Sequence, residues 1–251
     1  VAHAALFESS DGGETWEWNQ GLEGHPSRPN WAPGAGGLCL HTIVPDAADP
    51  RRLFIGISAV GVFRSDDGGR TWNTKNRGIG TIFDPISEEN APDSVCCVHK
   101  FVQDPSRPST LYQQNHMGVY RTHDAGEKWE RIENGLPSGF GFPIVMLPGK
   151  PQTLFVVPQE ASFSRTFPAG EFGVYRTRDG GDSWERTHQG LEGPNWGGVL
   201  RNSMIVDRQD PPAVYVGTSL GDVYCTLDEG DRWQPLPGRF PRVESLAAFQ
   251  V

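Results

Sequence analysis

The sequence lacks the features that mark several common classes of protein. Its 251 residues include only three methionines and four cysteines, and 22 basic residues stand against 31 acidic ones. The formal net charge of −9 argues against a general nucleic-acid-binding or anionic-membrane-binding surface. No apolar run is long enough to span a bilayer, and no secretory leader is recognisable. We therefore expect neither a nucleic acid nor a membrane as partner.

The cysteines do not form a recognisable disulfide framework. Two of them are adjacent, and all four fall in segments that we predict to be strands; they are Cys39, Cys96, Cys97 and Cys225. Because disulfides are expected in oxidising compartments, this pattern favours a reducing, cytoplasmic location.

Recognised catalytic and nucleotide-binding motifs are also missing. The sequence has no serine nucleophile elbow, phosphate-binding glycine loop or dinucleotide fingerprint, and no segment shows a sustained helical period. We therefore predict no cofactor, and the sequence leaves catalysis open.

One eight-residue phrase recurs five times and organises the chain. The copies begin at residues 9, 65, 122, 177 and 226 and read SSDGGETW, SDDGGRTW, THDAGEKW, TRDGGDSW and TLDEGDRW. Their third-position aspartates lie 49 to 57 residues apart and are Asp11, Asp67, Asp124, Asp179 and Asp228. A period near 50 residues is what one four-stranded blade of a β-propeller needs.

Each position of the phrase has a physical explanation. The aspartate can accept hydrogen bonds from backbone N–H groups and close a turn, and the glycine two residues later can take a positive φ. The final tryptophan begins a strand and offers a large apolar face to a neighbouring blade. We expect all five tryptophans to be largely buried; they are Trp16, Trp72, Trp129, Trp184 and Trp233.

Two further segments repeat upstream of the phrase. An apolar run, a turn rich in Asp and Pro and a second apolar run occur in HTIVPDAADPRRLFIGIS, HKFVQDPSRPSTLYQQN and SMIVDRQDPPAVYVGTS. The segment just before the phrase reads GVFRS, GVYRT, GVYRT or DVYCT. Short strands broken regularly by Pro, Asp and Gly are typical of all-β structure, so each repeat is predicted to be a four-stranded antiparallel blade.

The phrase resembles the Asp-box, or BNR, repeat of sialidases, sortilin-type receptors, some glycosidases and photosystem II assembly factors. The resemblance spans nearly the whole chain and implies an all-β fold, a β-propeller with Asp-box turns, in which residues 1–251 form one domain. It implies a structural role for the boxes and is weak for function, because propellers carry many unrelated activities.

Neither end of the chain completes a blade on the predicted register. Val1 is the last residue of a second strand, so we expect the first blade to lack its inner strand and most of the next. Residues 243–251 are predicted to form an isolated inner strand. These features favour a longer parent protein with further blades upstream.

The face opposite the boxes carries the long, variable loops, and we expect the ligand site there. Two of these loops repeat GLEG followed by PNW and contain Trp31 and Trp196, which can stack on a ligand or simply pack the loop. Polar neighbours of these tryptophans, Arg28, Asn30 and Asn195, can orient a ligand, and Arg201 and Arg165 can clamp a carboxylate or phosphate.

The inner strands supply a second group of candidate residues. Register matching places His41 and His99 at equivalent positions, with Asn115 and His116 at the adjacent rim. A cysteine lies two residues before each of the first two histidines, and two Cys with two His can bind zinc. This spacing on separate strands is not a zinc signature, so we predict a polar channel lining and no metal.

The sequence therefore predicts a protein that binds a small polar ligand, a carbohydrate above all, or a protein partner on its loop face. The alternative is a glycoside hydrolase or lyase related to the Asp-box enzymes. The resemblance implies a tyrosine nucleophile for sialidase chemistry; because all five tyrosines fall in predicted strands, we expect no sialidase activity. No spacing singles out a hydrolase pair among the loop acids Asp84, Glu88, Glu89, Asp93, Glu160 and Glu171.

Overall fold

The structure is a computed structural model that describes residues 3–34, 36–81, 96–161, 165–191 and 196–249. Strands account for almost all of its regular secondary structure. They are β1 (Phe7–Glu8), β2 (Glu17–Trp18), β3 (Leu40–Pro45), β4 (Leu53–Ile57), β5 (Gly61–Ser65), β6 (Asn73–Thr74), β7 (Val98–Gln103), β8 (Leu111–Asn115), β9 (Gly118–Thr122), β10 (Glu130–Arg131), β11 (Gly141–Leu147), β12 (Lys150–Pro158), β13 (Val174–Thr177), β14 (Glu185–Thr187), β15 (Met204–Val206), β16 (Val214–Gly217), β17 (Val223–Thr226) and β18 (Gln234–Pro235). The helix α1 (Gln20–Glu23) and two 3-10 turns complete the regular elements of these ranges.

The strands form sheets that follow the sequence repeat. Strands β3–β6, β7–β10, β11–β14 and β15–β18 each make a four-stranded sheet in chain order, whereas β1 pairs with β2 alone. Neighbouring strands within these sheets run antiparallel. The predicted all-β fold of four-stranded antiparallel sheets is confirmed, and the first sheet contains the two strands β1 and β2.

The chain divides into two compact units. The first contains Val1–Leu111 with Arg121–Glu130, and the second contains Tyr112–Tyr120 with Arg131–Val251. Each unit has an apolar core: Ile55, Ile57 and Phe63 are fully buried in the first, and Phe155 and Val157 are fully buried in the second. No helix among the described residues is long and apolar enough to cross a membrane.

An Asp-box turn joins the last two strands of each sheet. In the second box Gly69 N donates to Ser65 Oγ at 2.8 Å and Thr71 N donates to Asp67 Oδ1 at 2.9 Å. The Thr71 hydroxyl donates to Asp67 Oδ2 at 2.7 Å. Bonds from the hydroxyl and amide of Thr71, together with the Ser65 hydroxyl, lower the pKa of Asp67 to about 2.

The turn needs two residues in the left-handed region rather than the single glycine that we predicted. The fourth box position has positive φ even where it is not glycine, with 57° at Ala125 and 59° at Glu229. An L-residue there costs roughly 1–2 kcal/mol, so these two turns are held by their side-chain hydrogen bonds and packing.

Four box tryptophans pack against the sheet that precedes their own sheet in the sequence. Each is at most 6% exposed, because its indole packs on the outer edge of that sheet. Each indole N–H also donates to a group in or just after the outermost strand of that preceding sheet. The pairs are Trp72 with Asn19 Oδ1 at 3.1 Å, Trp129 with Lys75 O at 2.8 Å, Trp184 with Ile132 O at 2.8 Å, and Trp233 with Thr187 Oγ1 at 3.2 Å.

The first box tryptophan does not follow this pattern. Trp16 is 63% exposed, and its N–H donates to Gly13 O within its own turn at 3.1 Å. The prediction that all five box tryptophans are buried is therefore wrong for Trp16. Burial requires the outermost strand of a preceding sheet, and the described residues contain no sheet before β1.

Arginines on the third strand also reach the following box. Arg64 of β5 donates to Ala125 O at 2.9 Å and pairs with Glu127 at 2.9 Å. Arg176 of β13 donates to the Glu229 carbonyl and pairs with Asp231 at 2.7 Å. The matching position of β17 is Cys225, so the last sheet lacks this arginine.

Two local predictions need correction. Residues 243–249 form no regular strand: Ser245 makes an isolated parallel bridge with Asn202, because the segment's backbone also bonds to Thr218 O instead of following one ladder. All four cysteines are free as predicted, but only Cys225 lies in a strand. The other three precede β3 or β7, although Cys39 O already accepts a hydrogen bond from Ser58 N at 2.9 Å.

Candidate functional site

Aromatic and basic side chains gather in the second unit, at the ends of β8, β11 and β12. The His116 ring meets Phe140 edge-on with centroids 4.9 Å apart, and Phe140 meets Phe142 edge-on at 5.3 Å. The Arg165 guanidinium lies 5.2 Å above the Phe142 ring centroid. We call these four residues the Arg165 cluster.

Local backbone geometry positions the cluster. Phe140 and Phe142 are two residues apart at the start of β11, which places both rings on one face of the strand. The turn between β8 and β9 presents His116, and buried Asn115 shapes that turn by accepting a hydrogen bond from Met117 N at 3.1 Å. Asn115 therefore has a structural role next to the cluster.

The cluster carries positive charge in an acidic chain. Arg165 is exposed and has a left-handed backbone with φ of 47°. Within the described ranges no carboxylate lies within ion-pair distance of Arg165. Burial, reinforced by the charge of Arg165, lowers the pKa of His116, so the imidazole is neutral at pH 7 and Arg165 supplies the charge.

The loop that carries Trp196 packs against the same region. Gly198 N donates to Ser219 Oγ at 3.0 Å, and Ser219 N donates to Gly198 O at 2.8 Å. A Cβ atom at Gly198 would lie 3.1 Å from Arg165 O, so the two backbones are in direct contact. Trp196 is two residues before Gly198 and is 65% exposed, so its indole is accessible to solvent.

Trp31 and Arg28 have a different environment in the first unit. Trp31 is only 9% exposed, donates from its indole N–H to Ser27 Oγ at 2.9 Å, and packs 5.2 Å from Phe63. The Arg28 guanidinium lies 4.6 Å above the Trp31 ring and pairs with Glu23 at 3.0 Å. Trp31 therefore packs its loop, whereas Trp196 is exposed.

The inner-strand histidines of the first unit are also engaged by neighbours. His41 Nδ1 lies 2.9 Å from Thr42 Oγ1, and its Nε2 lies 3.0 Å from Val98 O. His99 is 4% exposed, and its Nε2 lies 3.7 Å from Cys97 Sγ. Because both ring nitrogens of His41 have partners, its geometry does not suit the four-residue zinc site considered from the sequence.

The remaining candidate residues lie in different parts of the second unit or outside the described residues. Arg201 is partly exposed in the turn before β15. Glu171 pairs with Arg186, and Glu160 is exposed at the end of β12. The loop acids Asp84, Glu88, Glu89 and Asp93 lie outside the described residues. The five tyrosines lie in strands, as predicted.

One partly buried carboxyl was not predicted from the sequence. Glu133 Oε1 accepts a hydrogen bond from Val119 N at 3.2 Å, as Asn76 Oδ1 accepts one from Val62 N at 2.8 Å. Burial raises the pKa of Glu133. Both residues follow a box tryptophan by four positions, and that shared position was the available signal for this structural carboxyl.

A separate groove of about 690 Å³ runs along the last sheet of the second unit. Ile205, Val223 and Leu236 form much of its floor. Its carboxylate, Asp207, is already bonded by Tyr215 Oη at 3.2 Å and Ala213 N at 2.8 Å. The groove therefore combines an apolar floor with the polar side chains of Arg208 and Gln209 in its lining.

Comparisons with known proteins agree with the observed repeat. The BNR/Asp-box repeat family matches residues 63–74, which contain the second box. No curated protein matches the chain.

Solved structures resemble the chain at low sequence identity. The GH74 xyloglucanase from Xanthomonas campestris is 18% identical, with a TM-score of 0.61 over 93% of this chain and 34% of its own. A GH74 enzyme of Niastella koreensis is 16% identical, with a TM-score of 0.54 over 94% of this chain and 48% of its own. YCF48 from Cyanidioschyzon merolae is 17% identical, with a TM-score of 0.52 over 79% of this chain and 56% of its own.

These similarities identify the repeat and the fold of the chain. Residues 63–74 match the BNR/Asp-box repeat, and the chain has the all-β propeller fold of these structures, in which Asp-box turns join strands of four-stranded sheets. It spans about a third to just over half of the length of the three solved structures named above. The likeness establishes the fold and assigns no reaction.

Proposed function

We propose that the second unit binds carbohydrate, with Trp196 as the stacking surface and Arg165 as the polar contact. The observation that carries the proposal is the 65% exposed Trp196 two residues before Gly198, whose backbone lies beside the Arg165 carbonyl. Gly198 restrains this backbone, so little conformational entropy is lost when a ligand binds. The apolar face of a sugar ring is suited to stack on an indole.

Arg165 adds the directional part of recognition. Its guanidinium has several N–H donors in a fixed plane, and stacking on Phe142 orients that plane. A sugar offers hydroxyl oxygens that accept such bonds while its ring lies on the tryptophan. Two of the fold relatives are GH74 enzymes, one of them a xyloglucanase, which supports a polysaccharide as the first ligand to test.

The proposal assigns no catalytic step. A glycosidase of the usual kind needs two carboxyl groups flanking the bond that it cleaves. Of the candidate loop acids that the structure describes, Glu171 is paired with Arg186, and no observation places a second carboxyl opposite it. Binding is therefore the function that these residues support.

Affinity electrophoresis in gels containing xyloglucan, followed by titration calorimetry with the same polymer, tests the proposal. Trp196→Ala should weaken binding about tenfold, because stacking of this kind contributes about 0.5–1.5 kcal/mol beyond area burial. Trp18→Ala is the matched control, since Trp18 is 45% exposed but lies on β2 in the first unit. The same loss in both variants, or no retardation of the unmutated protein by xyloglucan or by a panel of other soluble glycans, would refute the proposal.

A further inference from the structure

A cysteine and a histidine form a close pair at the start of β7 in the first unit. Cys97 Sγ lies 3.7 Å from His99 Nε2. The thiol is partly exposed, whereas the imidazole is 4% exposed. Residues two apart in an extended chain point to the same side, which brings the thiol and the imidazole together.

The backbone between the two side chains is fixed from a neighbouring strand. His41 of β3 places its Nε2 3.0 Å from Val98 O, and Val98 N donates to Cys96 O at 3.2 Å. These contacts hold Val98, the residue that separates Cys97 from His99.

We infer that Cys97 is a reactive thiol, activated by His99 and modified by peroxides. A thiolate is the nucleophilic form of cysteine, and an adjacent imidazole generates it by accepting the thiol proton. A buried imidazole beside a partly exposed sulfur provides that base while leaving the sulfur open to a small oxidant.

The reaction with hydrogen peroxide is balanced as follows. The Cys97 proton moves to His99 Nε2, and the thiolate attacks one peroxide oxygen. An S–O bond forms as the O–O bond breaks, and the departing hydroxide takes the proton from the imidazolium to give water. Sulfur loses two electrons and the peroxide gains them, so the product is a sulfenic acid.

The other three cysteines lie in different environments. Burial raises the pKa of Cys96 to about 12, and burial also raises the pKa of Cys225. Cys39 is partly exposed like Cys97, but its Sγ is directed towards Gly36 O at 4.0 Å. Cys39 is therefore the internal control for exposure.

The experiment labels the folded chain with iodoacetamide at pH 7 and follows each cysteine by tandem mass spectrometry, which separates Cys96 from Cys97. We expect Cys97 to react at least tenfold faster than Cys39. Hydrogen peroxide followed by a sulfenic-acid trap should mark Cys97 first. His99→Gln should bring the Cys97 rate down to that of Cys39 and leave the Cys39 rate unchanged.

Three results would overturn the inference. One is a Cys97 rate no higher than that of Cys39 in the unmutated chain, a comparison that needs no variant to fold. Another is an unchanged Cys97 rate in a folded His99→Gln variant. The third is a slow Cys97 in the purified protein that EDTA accelerates and added Zn²⁺ slows again, which would show that the pair binds metal instead.

Discussion

The box tryptophans give the sharpest test of how the sheets are held together. Trp129 and Trp16 occupy the same position of the same motif, yet Trp129 is 1% exposed and Trp16 is 63% exposed. Replacing a fully buried tryptophan with alanine costs about 3–5 kcal/mol. We therefore expect Trp129→Ala to lose about that much stability, whereas Trp16→Ala should change it by less than about 0.5 kcal/mol.

A third variant separates packing from hydrogen bonding. Trp129→Phe keeps an aromatic ring but removes the donor that bonds to Lys75 O at 2.8 Å. Leaving that carbonyl without its partner should cost about 1–3 kcal/mol, which is part of the loss from the alanine variant.

The assay is urea unfolding followed by far-UV circular dichroism, which does not depend on the fluorescence of the residue that is changed. For a chain of this size the alanine variant should also melt about 6–20 °C lower, at about 2–4 °C per kcal/mol. If Trp16→Ala proved as costly as Trp129→Ala, the tryptophan would act within its own turn. The bond from Trp16 to Gly13 O would then be the relevant contact, and our account of the junction would be wrong.

Two further predictions concern charged groups. Glu133→Gln should stabilise the protein at pH 7, because burial raises the pKa of Glu133 and so disfavours the ionised side chain in the folded state. In unfolding experiments at different pH, this gain in stability should vanish below the ordinary pKa of 4.5. A gain that persists below that pH would contradict this explanation. Arg176→Met should lower the free energy of unfolding by about 1–3 kcal/mol. The cost arises because the Arg176 side chain is only 5% exposed, and it is limited because both carboxylate partners are more than half exposed. Arg178→Met, at a site 45% exposed, should cost less than about 1 kcal/mol in the same denaturation assay, and an equal loss in both variants would exclude burial as the reason.

Local features of the fold were predictable from the sequence because short segments determine them. A box contains the aspartate, the hydroxyl side chains and the glycine that close its turn, so the third and fourth strands could be located from the motif alone. The exposure of Trp16 could not be predicted in this way. It depends on a strand of the preceding sheet, and the phrase around Trp16 is nearly the same as the phrase around Trp72.

The candidate site shows the same limit. Trp31 and Trp196 each end a loop segment in which GLEG is followed by PNW. The first loop has four extra residues between the two motifs, His25, Pro26, Ser27 and Arg28. Ser27 accepts the Trp31 indole N–H, and Arg28 covers its ring. The shorter loop has no counterpart of these residues, and Trp196 is exposed. An insertion therefore decided which tryptophan is accessible, and the motif match could not show it.

The direction of the tryptophan contacts bears on how the chain folds during synthesis. Every buried box tryptophan bonds to a group 46 to 54 residues earlier in the sequence. The ribosome therefore completes the receiving sheet before it delivers the indole that docks there. Each new sheet can add to a surface already formed, and the nascent chain need not wait for downstream residues to bury its largest side chains.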